Sequence, residues 1–354
     1  MSSNNKNIAI VVIVILVIAG GVGIVFLGPM LFPSTPRVAI VFATGGLGDK
    51  SFNDGCHAGA LQAQAEFGWN FDYVQPTQIS EYQGFLEDFA AHEGRDDAYD
   101  LIISIGYDQA EALNTTALAY PNQYFAIVDM VVFLPNVTSL VFSAAEGSAL
   151  VGAIAGLTTV SNEIGFIGGA DIPLINEFAA GYWWGANYTN DDIDFSIAYT
   201  NDWVDTTAGQ GLADVMYADG VDIIFGAAGR SGLGVFTSAK NHNGESGYPN
   251  PLWAIGVDSP QMYLGCADPE NPVSPTIGLT SMLKRVDVAI YETIKQVIEE
   301  TFDGGIDVYT LANGGIGYEV NVDLLALPSA VITAVEALKQ LIIDGDVTVP
   351  TTLS

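Results

Sequence analysis

The feature that most restricts the fold of this chain is a rhythm: short apolar runs of strand length alternate with amphipathic stretches, and the whole series then starts again. Strand-length runs fall at 37–43, 71–75, 101–106, 124–129 and 137–143, with helical patterns such as 52–67 and 81–92 between them. Runs with almost no polar interruption, "LIISIG" for instance, suit strands buried on both faces, as a parallel sheet under two layers of helices requires. A long small-residue helix at 144–160 leads into the second series, at 164–168, 195–199, 221–225, 252–257 and 276–280. The pattern predicts an α/β protein of two lobes, each a parallel sheet with helices on both faces. Ligands of such sheets sit at the carboxyl ends of the strands, so two lobes predict a cleft there. The expected division is an anchor and linker at 1–36, an N-terminal α/β lobe at 37–160, a C-terminal α/β lobe at 161–282, and a hinge return with C-terminal helices at 283–354.

The run from Ile8 to Leu27, "IAIVVIVILVIAGGVGIVFL", carries no charge and has about the 20 residues that a helix needs to cross a bilayer. It is longer than a signal-peptide core. We therefore expect an N-terminal transmembrane helix ahead of the lobes. No cysteine lies near its end to take a lipid, and Lys6 on the short leading side places the bulk of the chain outside the cell. Charge bears on partners: 41 acids against 10 Lys plus Arg leave a net −31, a field that disfavours nucleic acid and anionic partners. Cys56 and Cys266, far apart in sequence, read as two buried thiols. The sequons at Asn114, Asn136 and Asn187 fit an exterior location.

One stretch, "VAIVFATGGLGDKSFNDG", has the layout of a phosphate-cradling loop, and its spacing excludes that role. A P-loop needs G-x-x-x-x-G-K-[ST], but Lys50-Ser51 is preceded by Asp49, and the dinucleotide pattern fails because Gly46 and Gly48 are followed by Ser51. An acid at a helix N-terminus also repels phosphate. The loop instead lets backbone approach a neutral, hydroxyl-bearing ligand. Polar and aromatic groups recur at the other predicted strand ends: Asp49, Phe52 and Asn53 after the first, Asp108 after the third, Asp129 after the fourth, Trp203 after "DFSIAYT", Gly229 after "VDIIFG" and Asp258 closing "PLWAIGVD". Each has a plainer reading, since the Asp and Asn residues also suit caps and turns and the two aromatics suit a core. "AGYWWGANY" reads as lobe packing, because Phe178 and Tyr182 have helical spacing. Lys284 reads as a surface cation or a ligand contact. Catalysis finds no support: His57, His92 and His242 lack metal-ligand spacing, and "GRSGL" lacks the final glycine of a nucleophile elbow. No catalytic residue, metal or cofactor is expected.

The motifs "GGLGDKSFND", "YPNQYFAIVD", "GFIGG" followed by "FAAGYWWGA", "AAGRSGLGVFTSAK", "IGVDSPQ" and "TSMLKRVD" occur in one order across roughly residues 37–330. In them the chain resembles the basic membrane protein family, the purine-nucleoside-receptor-like binding proteins of ABC transporters. The resemblance implies a type 1 periplasmic-binding-protein fold, an extracellular solute-binding role beside an ABC transporter permease, and a purine nucleoside held between two aromatic faces. Carried over by motif, Phe52 and Trp203 would stack on the base, Asp129 would accept hydrogen bonds from its edge, and Asp258 with Lys284 would hold ribose hydroxyls. Two departures stand out: Ala43 occupies a position where many members carry an acid, and the apolar helix replaces the usual lipid anchor. Other readings of the same cleft are a cage for a cationic osmolyte such as betaine, which Lys284 opposes, or a surface sensory or structural module.

Overall fold

The structure is a computed structural model that describes residues 37–353 and, ahead of them, only the backbone of four short extended segments, Ile8–Ile10, Ile13–Ile18, Gly21–Phe26 and Met30–Phe32. The membrane helix expected from Ile8 to Leu27 is not shown: part of that stretch lies outside the described residues, and no described helix is long and apolar enough to cross a membrane.

Two six-stranded sheets organise the chain. The first is built from β1 (Arg37–Val41), β2 (Asn70–Val74), β3 (Leu101–Ile105), β4 (Phe125–Val128), β5 (Val137–Phe142) and β11 (Gly305–Tyr309), in the spatial order β11-β5-β4-β3-β1-β2. All its pairings are parallel. The second contains β6 (Glu163–Gly168), β7 (Asp194–Tyr199), β8 (Ile223–Ala227), β9 (Trp253–Asp258), β10 (Gly278–Lys284) and β12 (Ile316–Tyr318), in the order β7-β6-β8-β9-β10-β12. Only β12 runs antiparallel. Alternation along each strand divides the core as a pleated backbone must. Val38, Ile40 and Phe42 face a core shared by both halves, while Ala39 and Val41 face α2 (Tyr82–Ala90) and α3 (Ala110–Ala119).

The chain crosses between the sheets at three places. It leaves the first sheet after β5 and enters α4 (Ala144–Thr158). That helix packs on α5 (Pro173–Thr189) of the second half so closely that a Cβ on Gly181 or Gly185 would overlap the carbonyls of Ala145 and Ala149. Buried Asp222 then ties the end of α4 to the second sheet, accepting from Thr159 Oγ1 at 2.7 Å and the Val160 amide at 2.6 Å. The first crossing is therefore at Ser143, ahead of the small-residue helix rather than behind it. The second follows β10 into α8 (Val286–Ile298), which packs on α1 (Phe52–Phe67) of the first half. The third runs from β11 back to β12. All three meet: the Ser143 amide donates to Tyr309 O at 2.9 Å, the Arg285 amide to Gly315 O at 2.9 Å, and the Leu311 amide to Glu146 Oε2 at 2.9 Å.

Candidate functional site

Because all strands but β12 are parallel within their sheets, their carboxyl ends gather, and the two gathered ends face each other across one cavity. Asp49, Phe52, Asn53, Asp108, Asp129, Trp203, Gly229, Asp258 and Lys284, all nine residues singled out from the sequence, line it. It encloses about 710 Å³ of space outside the protein atoms, its open mouth included.

At its floor lie three charged side chains. Lys284 ends β10 of the second sheet and Asp129 follows β4 of the first; Lys284 Nζ donates to Asp129 Oδ2 at 2.5 Å, with the two side chains 3% and 7% exposed. The other Asp129 oxygen, Oδ1, is buried with no hydrogen-bond partner among the described residues. Asp258 ends β9, and its Oδ2 accepts from Ser51 Oγ of the first half at 2.7 Å. Both aspartates have left-handed backbone, φ 69° at Asp129 and 64° at Asp258, a strained state of the kind that collects at binding sites. Burial pushes the Asp258 carboxyl up to about 6, against the lowering effect of Lys284 and Ser51, with Asp129 and Asp49 adding to the rise. Burial alone would weaken the Lys284 ammonium, but Asp129 and Asp258 outweigh it and hold the group above its ordinary range.

Aromatic rings form the walls. The ammonium of Lys284 sits 4.8 Å from the centre of the Phe52 ring, 5.1 Å from Phe142 and 5.8 Å from Phe178, so its charge is shared between carboxylates and π faces. Trp203 lies against Gly169, where any Cβ would overlap the indole. That glycine lets the indole approach the backbone closely. Phe178, which its spacing assigns to lobe packing, lines the cavity together with Leu174, while Tyr182 is fully buried against Phe225, as packing requires. Helical spacing identifies the buried face of α5, but it does not tell which turn of that face meets a neighbouring helix and which meets the cleft. Tyr107, also on the wall, had only its adjacency to Asp108 as a signal.

Two of the expected contacts turn out to be occupied by the fold. Asp49 is 2% exposed, and its oxygens accept from the amides of Ser51, Asn53 and Asp54 and from Asn53 Nδ2, at 2.8 to 3.1 Å. It holds the glycine loop onto the N-terminus of α1, so it borders the cavity as a cap and has little acceptor capacity left for a ligand. Burial raises its carboxyl despite those amides. Asn53 Oδ1 accepts from the Ala43 amide at 3.1 Å and joins the end of the first strand to that same helix start. Asp108 is more open: Oδ2 accepts from Tyr82 at 3.1 Å, and burial raises its carboxyl.

Comparison with known proteins bears on the family and the fold. The family model Bmp, described as ABC transporter substrate-binding protein PnrA-like, matches residues 37–352. The CD4+ T-cell-stimulating antigen of Listeria monocytogenes is 36% identical over 320 residues, covering 88% of this chain and 87% of its own. The ABC transporter nucleoside-binding protein BmpA of Lactococcus lactis is 33% identical over 320 residues, covering 89% of each. Among solved structures, an ABC transporter system solute-binding protein from Aeropyrum pernix superposes with a TM-score of 0.78 at 29% identity, over 90% of this chain and 94% of that one.

Proposed function

We propose that the chain, which belongs to the PnrA-like family of ABC transporter substrate-binding proteins, takes a purine nucleoside in the cleft between its sheets and delivers it to a transporter permease. Members of the family are solute-binding proteins and not enzymes. The relative from Lactococcus lactis carries nucleoside binding in its name.

The observation that carries the choice of ligand is the free oxygen of Asp129. A buried acceptor with no donor costs roughly 1–3 kcal/mol, which a ligand N–H or O–H at that point would recover. The surrounding walls suit a flat π system: Phe52, Tyr107, Phe178 and Trp203 all line the cavity, and stacking on aromatic rings contributes roughly 1–3 kcal/mol per base. Acceptors outnumber cations in the lining, where Asp108, Asp129 and Asp258 accompany, among the described residues, the single ammonium of Lys284. Such a lining favours hydroxyls and amines and opposes phosphate. In this reading Asp129 meets the base edge, and Asp258 with Lys284 holds the sugar. The run from Ile8 to Leu27 keeps the protein on the outer face of the membrane, where an importer's ligand is met.

Thermal shift across a ligand panel tests the reading, because whatever binds only the folded state raises the melting temperature. Guanosine and adenosine should raise it, and their 5′-monophosphates should not. Equal stabilisation by the monophosphates would overturn it.

A further inference from the structure

The glycine loop 44–51 is held from both sides of the cleft by different chemistry. Its amides face the first half: Leu47 N donates to Gln75 Oε1 at 2.9 Å, Gly48 N and Lys50 N to Asp54 at 2.7 and 3.0 Å, and Thr44 N to Tyr82 Oη at 2.9 Å. Its carbonyls face the second. Arg230 Nη2 donates to Leu47 O at 2.7 Å and reaches Gly45 O at 3.4 Å, Gln261 Nε2 donates to Lys50 O at 2.8 Å, and Ser259 Oγ to Ser51 O at 3.1 Å. If the halves separate, the first set travels with the loop and the second set breaks.

Arg230 is the one charged donor in that second set. Its acceptors are backbone carbonyls, its Nε is buried with no partner among the described residues, and it is not among the residues lining the cavity. A partly buried guanidinium with one N–H unmatched gains less than a fully satisfied one. The contact is therefore suited to open and close, where a carboxylate partner would lock it.

We propose that Arg230 is a positioning residue of the binding site: it latches the loop across the cleft and so sets affinity through the population of the closed form, without touching the ligand. This rests on the reading that ligand occupies the inter-sheet cleft. Apparent affinity scales with the fraction of molecules in the competent form, so loss of the latch weakens every ligand by one common factor. A residue that touches the ligand would instead alter the ranking between ligands.

The test compares wild type with Arg230→Ala and with the milder Ser259→Ala, which removes one neutral hydrogen bond of the same strap. Small-angle scattering without nucleoside should give a larger radius of gyration for Arg230→Ala than for wild type, and Ser259→Ala should fall between them. In stopped flow with guanosine, Arg230→Ala should dissociate about tenfold faster, as expected for loss of a charge-assisted bond. The ranking of guanosine, adenosine and uridine should stay as in wild type. Unchanged scattering and dissociation in both variants would overturn the proposal, as would an altered ranking. If wild type binds no nucleoside, the ligand reading fails separately, and the scattering comparison alone decides the latch.

Discussion

Lys284 shows how much of the site rests on one side chain. Among the described residues it is the only cation lining the cavity, and it faces Asp129 and Asp258 together. Replacing it with Met leaves two buried carboxylates without their counter-charge, which should cost about 3–5 kcal/mol of stability in urea titration. Asp258 gives the site a pH signature. Its folded carboxyl titrates near about 6, above the 3.8 of the unfolded chain, so the folded state holds the proton more tightly. The stability this group contributes is present below pH ~4, falls as pH rises to ~6 and is flat above. The difference between wild type and Asp258→Asn, followed by denaturation from pH 4 to 7, should show that fall. Nucleoside affinity should move the opposite way and weaken below pH ~6, because a protonated carboxyl accepts less well from ribose hydroxyls. The positions of these acids were legible in the sequence because parallel strands force their carboxyl ends together. The role of Asp49 was not, since a cap and a ligand contact at a loop end use the same residue type, and only the path of the loop decides which donors reach it.

At the level of elements, every strand of the two apolar series formed within a few residues of its expected place; burial on both faces accounts for the central strands, while the edge strands β2 and β7 are largely exposed. β11 and β12 escaped notice because "GIDVY" and "IGY" are short and only partly buried, so neither alternation nor a continuous apolar run marks them. With them the third crossing was missed. The small-residue composition of α4 was visible, but the sequence could not say that the helix packs on α5 and belongs with the second sheet. Two glycines separate packing from binding at this scale. Gly185→Ala should force α4 and α5 apart and cost roughly 1–3 kcal/mol in thermal or urea unfolding while leaving the ranking of ligands alone. Gly169→Ala should displace the Trp203 indole and weaken all bases by up to roughly 1–3 kcal/mol in calorimetry, the loss of one stacking face.

Over the whole molecule, the two halves are joined at one cluster of crossings and bridged by the glycine loop, a layout that permits hinge closure. A net charge of −31 surrounds this machinery and repels itself. Raising salt from 0.01 M to 0.15 M shortens the screening length from about 30 Å to about 8 Å and should raise the melting temperature. The central claim is that the cleft binds a purine nucleoside through Asp129, and the most direct test is calorimetric titration of guanosine, adenosine and uridine into wild type and Asp129→Asn. The account predicts one-to-one binding to wild type with the purine nucleosides tighter than uridine. It predicts that this preference shrinks in Asp129→Asn, with roughly 1.5–3 kcal/mol of purine affinity lost along with the charged acceptor. No binding of any of the three to wild type, or an Asp129→Asn protein with the same affinities and the same preference, would contradict it.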